Sequence, residues 1–298
     1  MSNIHSPQPA GSSVRAYRQT TLSSPIQLSG QGMHTGEQGQ VTLKPAPANH
    51  GIQFERNGVS IPATAEYVAN TRRATRLGSG ETSLDTVEHL LSALYGLQID
   101  NVIIEAHGPE IPILDGSARP WVEALQNAGI EELQETGCPL LLSETVALRD
   151  GDSWMVAVPS PTFSITCVTH FDHPLLGTES ATFFADPDLY ANEIAPARTF
   201  GFIAEVEALR AAGLALGGSL DNALIIFDDH FSDALRVPQE CLRHKMLDLW
   251  GDLSLVGGRL CAAITAIKPG HRINTAFAAL LAEKIAVSSQ PDSPRIGG

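Results

Sequence analysis

Apolar and polar residues alternate in short runs near the start of the chain, in QTTLSSPIQLSG, QVTLKPA and GIQFER, and this period of two predicts strands. The pattern then changes. DTVEHLLSALYGL repeats its apolar positions every three or four residues, as an amphipathic helix does, NVIIEA reads as a strand, and SARPWVEALQNAG reads as a second helix. EELQETGCPL interrupts this order and reads as a crossing point. Beyond it the order begins again, with strands around 140–146, at WMVAVPS and at FSITCVTH, a helix IAEVEALRAAG, and a strand NALIIF. A helix holding RHKMLDLWGD, a strand LCAAITAI and a last helix from about Arg272 complete it. Strands followed by helices in each half make an α+β protein, divided into domains at 17–137 and 138–287. The element order suggests duplication, although no residue-level repeat is visible. The Ser-, Pro-, Gln- and Gly-rich ends, 1–16 and 288–298, are expected to be disordered.

Composition narrows the function classes. A chain of 298 residues is long enough for two domains of ordinary size. The formal net charge of -14 argues against a protein that wraps nucleic acid or coats an anionic membrane, since either needs a basic face. An anionic substrate must therefore meet local cations, and the only lysines are Lys44, Lys245, Lys268 and Lys284. Cys138, Cys167, Cys241 and Cys261 form no CxxC pair, which fits reduced thiols in a cytoplasmic protein. No signal-like apolar core opens the chain, and no run approaches the ~18 apolar residues of a membrane span. A soluble cytoplasmic protein without stable membrane insertion is expected, and a monomer.

RHKMLDLWGD concentrates ionisable groups on one helical arc. At about 100° per residue, His244, Asp248, Asp252 and Lys245 share one side, and Met246, Leu247, Leu249, Trp250 and Leu253 fill the other. Any surface helix has such faces. His244 and Asp248, however, are one turn apart, where both side chains reach one metal ion. A third ligand is available in His89, in the first turns of an apolar helix, with Glu88 beside it. Taken singly, His89 reads as a hydrogen-bonded core histidine, and Glu88, three residues after Asp85, reads as half of a capping box. Taken jointly, three ligands leave a fourth position for water, and Glu88 becomes a carboxylate able to take its proton. That pattern is a metal-assisted hydrolase.

Other stretches carry weaker signals. His271 follows the Pro-Gly turn of KPGHRIN and opens the last helix; it reads as a helix-start residue, or as a proton donor held by a carboxylate such as Asp252. Lys268 is suited to pair with a phosphate. ARTFGF leads into an apolar helix; GLALGG, SGQGMHTG and PEIPILDGSA read as turns, with Ser117 as a helix cap, and no phosphate-binding P-loop is present. Two rival classes stay open on these residues. Two histidines and a carboxylate are also the facial triad of non-haem Fe(II) oxygenases, and a metal could staple two domains without catalysis, although no fourth protein ligand is evident for such a closed site.

In order and spacing, TVEHL, EIPILDGSA, ARTFGF, GLALGGS, RHKMLDLWGDL and the GH of KPGH closely resemble the zinc-dependent UDP-3-O-acyl-N-acetylglucosamine deacetylase family of Gram-negative lipid A biosynthesis. SGQGMHTG resembles that family's opening motif, and the likeness spans about Arg18 to Ile285. The resemblance implies two similar sheet-plus-helix-layer domains with the active site in the cleft between them. It implies hydrolysis of the N-acetyl group of UDP-3-O-(3-hydroxyacyl)-N-acetylglucosamine to acetate and the free amine, the committed step of lipid A (lipopolysaccharide) synthesis. By the same resemblance His89, His244 and Asp248 are zinc ligands, with Fe2+ as an alternative occupant in cells. Glu88 is the general base, Thr199 an oxyanion-holding hydroxyl, His271 the general acid or charged stabiliser, and Asp252 its supporting carboxylate. Lys245 and Lys268 match substrate-binding lysines, Phe200 packs on the sugar, and Ile203 and Val206 line the acyl-chain passage. The extension before Tyr17 has no counterpart in the pattern, and FDDHFSDALRVPQE departs from it.

Overall fold

The computed structural model describes residues 16–288. Apart from Ala16 and Ser288, the ends expected to be disordered lie outside the described residues. The described helices are α1 (Glu88–Gly96), α2 (Arg119–Ala128), α3 (Pro187–Leu189), α4 (Ile203–Ala211), α5 (Glu240–Ser254) and α6 (His271–Ser288).

Two sheets carry the architecture. The first runs Ile26–Gln31, Gln38–Pro45, Val102–His107, Ile52–Arg56, Val59–Pro62, antiparallel except for the parallel pair of Ile52–Arg56 with Val102–His107. The second runs Val146–Asp150, Ser153–Pro159, Leu260–Ile267, Ser164–Phe171, Gly177–Phe184, with a parallel pair at the same place in the order, and adds Leu140–Leu141 parallel to Leu260–Ile267. Parallel neighbours need a crossover connection. The first crossover contains α1 and the second contains α5. The duplication suggested by element order is thus present in the topology, and α1 and α5 are its equivalent helices.

These equivalent helices pack on each other in one continuous core, where Leu90, Leu91 and Leu94 join Leu242, Met246, Trp250 and Leu253. Their backbones come unusually close. A Cβ at Gly251 would lie 2.1 Å from the carbonyl oxygen of Glu88, so only glycine fits the crossing. The surface-helix alternative for α5 fails here: every residue of the helix except Lys245 is buried, the polar side included. The polar arc is held inside the protein, against α1 and the start of α6.

Three departures from the sequence pattern have physical causes. Ile130–Gly137, read as a crossing point, is a strand paired antiparallel with Tyr17–Leu22. It is exposed along most of its length, so no buried face imposes alternation. The edge strand Gly177–Phe184 and the small sheet of Val68–Asn70, Arg76–Ser79 and Thr82–Leu84 were masked in the same way by exposed or short strands. The helix expected from Asp85 starts at Glu88, because Thr86 takes a left-handed φ of 59° that no helix continues. No helix among the described residues is long and apolar enough to cross a membrane.

Candidate active site

The capping box does not form. Arg76 holds the Asp85 carboxylate at both oxygens, Nε at 2.5 Å and Nη2 at 2.8 Å, and α1 has no side-chain cap. Glu88 is left free for another task. Buried at 3% exposure, its Oε2 accepts the Thr75 backbone N–H at 3.1 Å, and its Oε1 lies 3.9 Å from His271 Nε2.

The next residue, His89, points to α5. Ligand-type atoms of His89, His244 and Asp248, all buried, lie within 4.8 Å of one another. Asp248 Oδ1 is 3.6 Å from His89 Nε2 and 3.4 Å from His244 Nε2, and the two rings meet edge to face at 5.1 Å. His244 Nδ1 is 3.1 Å from the Ala197 carbonyl, and a carbonyl only accepts, so the ring proton is on Nδ1. Its Nε2 lone pair therefore faces a carboxylate oxygen, acceptor against acceptor. Burial, partly countered by Asp248, pushes the His244 pKa down to about 4, so the ring stays neutral at pH 7. Burial opposes the charge of Asp248, but Lys245 and His244 outweigh it and hold the carboxyl well below its usual range. His89 Nδ1 is buried without a hydrogen-bond partner. Two imidazole nitrogens and one carboxylate converging in this way fit a divalent cation with a remaining open position.

Asp252 lies one turn beyond Asp248 and is fully buried. Its Oδ2 accepts from His271 Nδ1 at 2.9 Å and from Asn274 Nδ2 at 2.9 Å, and its Oδ1 accepts the Thr75 hydroxyl at 2.5 Å. Burial works against a charged His271, yet the carboxylates of Asp252 and Glu88 prevail and push its pKa up to about 9. Burial pushes Glu88 the other way for a carboxyl, up to about 7, with His271 as the main opposing charge. A carboxyl that titrates near neutrality thereby stands beside an imidazole that stays charged above it, suiting one to act as base and the other as acid.

A cavity of about 690 Å³ joins these groups. Glu88, His89, His244, Lys245, Asp248 and His271 line it, together with Thr199, Phe200, Ile203, Val206 and Lys268. Lys245 Nζ is committed to Asp248 Oδ2 at 2.7 Å, while Lys268 is half-exposed, 3.8 Å from Asp152, and holds a left-handed φ of 49° before Pro269. Such strain at a cavity wall is characteristic of binding positions. Asp252 stands behind the wall. Sequence reasoning missed Thr75 and Asn274, which buttress Glu88 and Asp252, and no spacing signal marks either. It passed over Arg198 inside ARTFGF and Glu240, four residues before His244, whose position on the same helical arc was available. His34, from SGQGMHTG, also lines the cavity, with its Nδ1 buried and unpartnered.

Known proteins resemble this chain along most of its length. The family model described as UDP-3-O-acyl N-acetylglycosamine deacetylase matches residues 19–283. A UDP-3-O-acyl-N-acetylglucosamine deacetylase of Myxococcus xanthus is 45% identical over 268 residues, 87% of this chain and 84% of that protein. Proteins of the same name from Geotalea uraniireducens and Leptospira biflexa are 42% and 39% identical, covering 87% and 89% of this chain and 86% and 90% of their own lengths. With the match running through both sheets and through the helices that bear the buried cluster, the chain belongs to the UDP-3-O-acyl-N-acetylglucosamine deacetylase family.

Proposed function

We propose that this chain carries out its family's reaction, removing the N-acetyl group of a UDP-3-O-(3-hydroxyacyl)-N-acetylglucosamine to release acetate and a free amino sugar for lipid A synthesis. The observation that carries the reading is the buried convergence of His89, His244 and Asp248 beside Glu88 and His271. The three would hold a zinc ion, with Fe2+ as the alternative. A divalent cation bound there supplies Lewis acidity, polarising an acyl oxygen and lowering the pKa of water toward neutrality.

The chain's own groups do the rest. Glu88, ionising near neutrality, takes the proton of the attacking water. The Thr199 hydroxyl donates to the oxyanion that develops on the acetyl oxygen. His271, charged up to about pH 9 and fixed by Asp252, stabilises that negative charge and hands a proton to the departing amine. Lys268 meets the diphosphate, Lys245 supports Asp248 and the substrate, and Phe200 packs on the sugar. Ile203 and Val206 line the route of the acyl chain. The cavity lies between units 17–137 and 138–287 in this reading. The free thiols of Cys138, Cys167, Cys241 and Cys261 suit a cytoplasmic enzyme, which this reading takes as a monomer.

The test is acetate release. Purified protein incubated with the UDP-linked substrate should yield acetate and free amine in equal amounts, stop after dialysis against a chelator, and resume on adding Zn2+. Turnover that requires O2 and a co-substrate, with no acetate formed, would instead indicate the oxygenase class.

A further inference from the structure

The arc of α5 that carries His244, Asp248 and Asp252 at four-residue intervals begins one turn earlier, at Glu240. Glu240 and Arg198 are 1% and 2% exposed. The Glu240 carboxylate takes the Arg198 guanidinium in a two-pronged contact, Nε to Oε1 at 2.8 Å and Nη2 to Oε2 at 3.2 Å. It also accepts the Arg198 backbone N–H at 3.0 Å and the Arg236 backbone N–H at 2.8 Å. The outer side of the guanidinium is held by Asp233 Oδ2 at 2.9 Å and the Ala234 carbonyl at 2.8 Å.

One peptide unit lies at the centre of these contacts. Its N–H, on Arg198, is bound by Glu240, and its C=O, on Ala197, accepts His244 Nδ1–H at 3.1 Å. Peptide units are planar, so the group cannot turn without losing both bonds, and both partners stand on α5 one turn apart. The next residue, Thr199, is tied by its own N–H to the Gly116 carbonyl at 2.7 Å. We infer that Arg198 and Glu240 are positioning residues: through the Ala197–Arg198 peptide they fix the tautomer and direction of His244, and they set where the Thr199 hydroxyl stands. This rests on the reading of His244 as a metal ligand. A bidentate guanidinium–carboxylate contact is not reproduced by lysine, whose ammonium is a single point charge.

The experiment measures Zn2+ affinity of the full chain by competition with a chromophoric chelator, and the His244 tautomer by NMR of the protein labelled with 15N at its histidine rings. Arg198→Lys is expected to weaken Zn2+ binding by roughly 10- to 100-fold, as loss of support behind a metal-ligating histidine does, and to deplete the Nδ1–H tautomer. At saturating Zn2+ its kcat falls while KM stays near wild type. Asp233→Asn, which loosens only the solvent side of the guanidinium, is expected to cost about threefold, the share of a half-exposed ion pair. A folded Arg198→Lys protein with wild-type affinity, tautomer and kcat would overturn the inference, whatever its melting temperature. Should Arg198→Lys not fold, wild-type affinity and tautomer in Asp233→Asn would overturn it equally. A wild-type protein that takes up no Zn2+ would contradict the metal reading, and the tautomer of His244 in the two variants would then decide the positioning role.

Discussion

Replacing Asp252 by asparagine removes one charge from behind His271 while keeping the side chain's shape. Asp252 Oδ2 is 2.9 Å from His271 Nδ1, and no solvent reaches it. Two unit charges about 4 Å apart at an effective dielectric of ~20 interact by about 4 kcal/mol, equivalent to about 3 pKa units at ~1.36 kcal/mol each. Glu88, 3.9 Å from the other ring nitrogen, still favours the charged ring, while burial still opposes it. The His271 pKa should fall from about 9 by roughly 2 to 3 units, to about 6 to 7. Because the raised pKa keeps the ring charged through neutrality, activity that needs the charged ring is present below the pKa and lost above it. The assay is kcat/KM for acetate release from pH 5.5 to 10. Wild type should lose activity on a basic limb near 9, and in Asp252→Asn that limb should move down, costing at least about tenfold at pH 8 and progressively less toward pH 6. A basic limb within about half a unit of wild type would refute the reasoning.

The acid limb and the other side chains give further tests. Glu88 must be ionised to act, so activity should fall as pH drops through its pKa near 7, and a bound cation beside it shifts that limb lower by favouring the carboxylate. Glu88→Gln should keep one metal per chain by elemental analysis yet lose about 10²–10⁴ in kcat. His244→Ala should abolish the rise in melting temperature that added Zn2+ gives wild type, a stabilisation of about 2.7 kcal/mol at a hundredfold excess over Kd. Gly251→Ala forces a methyl against the Glu88 carbonyl and should destabilise by about 1–3 kcal/mol, seen in thermal melts, with kcat reduced because the strained residue bears the base.

Much of this protein is legible in its sequence because periodicity reports burial. The helices that bear the cluster, α1 and α5, have apolar faces strong enough to read directly, and His244 and Asp248 share an arc whatever the tertiary fold. The strand Ile130–Gly137 was illegible because its EELQETG residues face water on most positions. The polar arc of α5 reads as solvent-facing because periodicity does not reveal that a second helix, made equivalent by the repeated topology, covers it. Glu88 shows the same limit. Its spacing from Asp85 fits a cap, and the left-handed backbone at Thr86 together with the Arg76–Asp85 ion pair, neither visible in the spacing, removes that possibility. Thr75 and Asn274 act through individual hydrogen bonds to Glu88 and Asp252, residues far from them in sequence or on other elements, and such bonds leave no periodic trace.

The most direct measurement is anomalous X-ray scattering, recorded at the zinc and iron absorption edges from crystals of protein purified without chelators. A single peak is expected about 2.0–2.2 Å from one nitrogen each of His89 and His244 and from an oxygen of Asp248. No peak there, or a metal bound by other residues, would contradict the assignment.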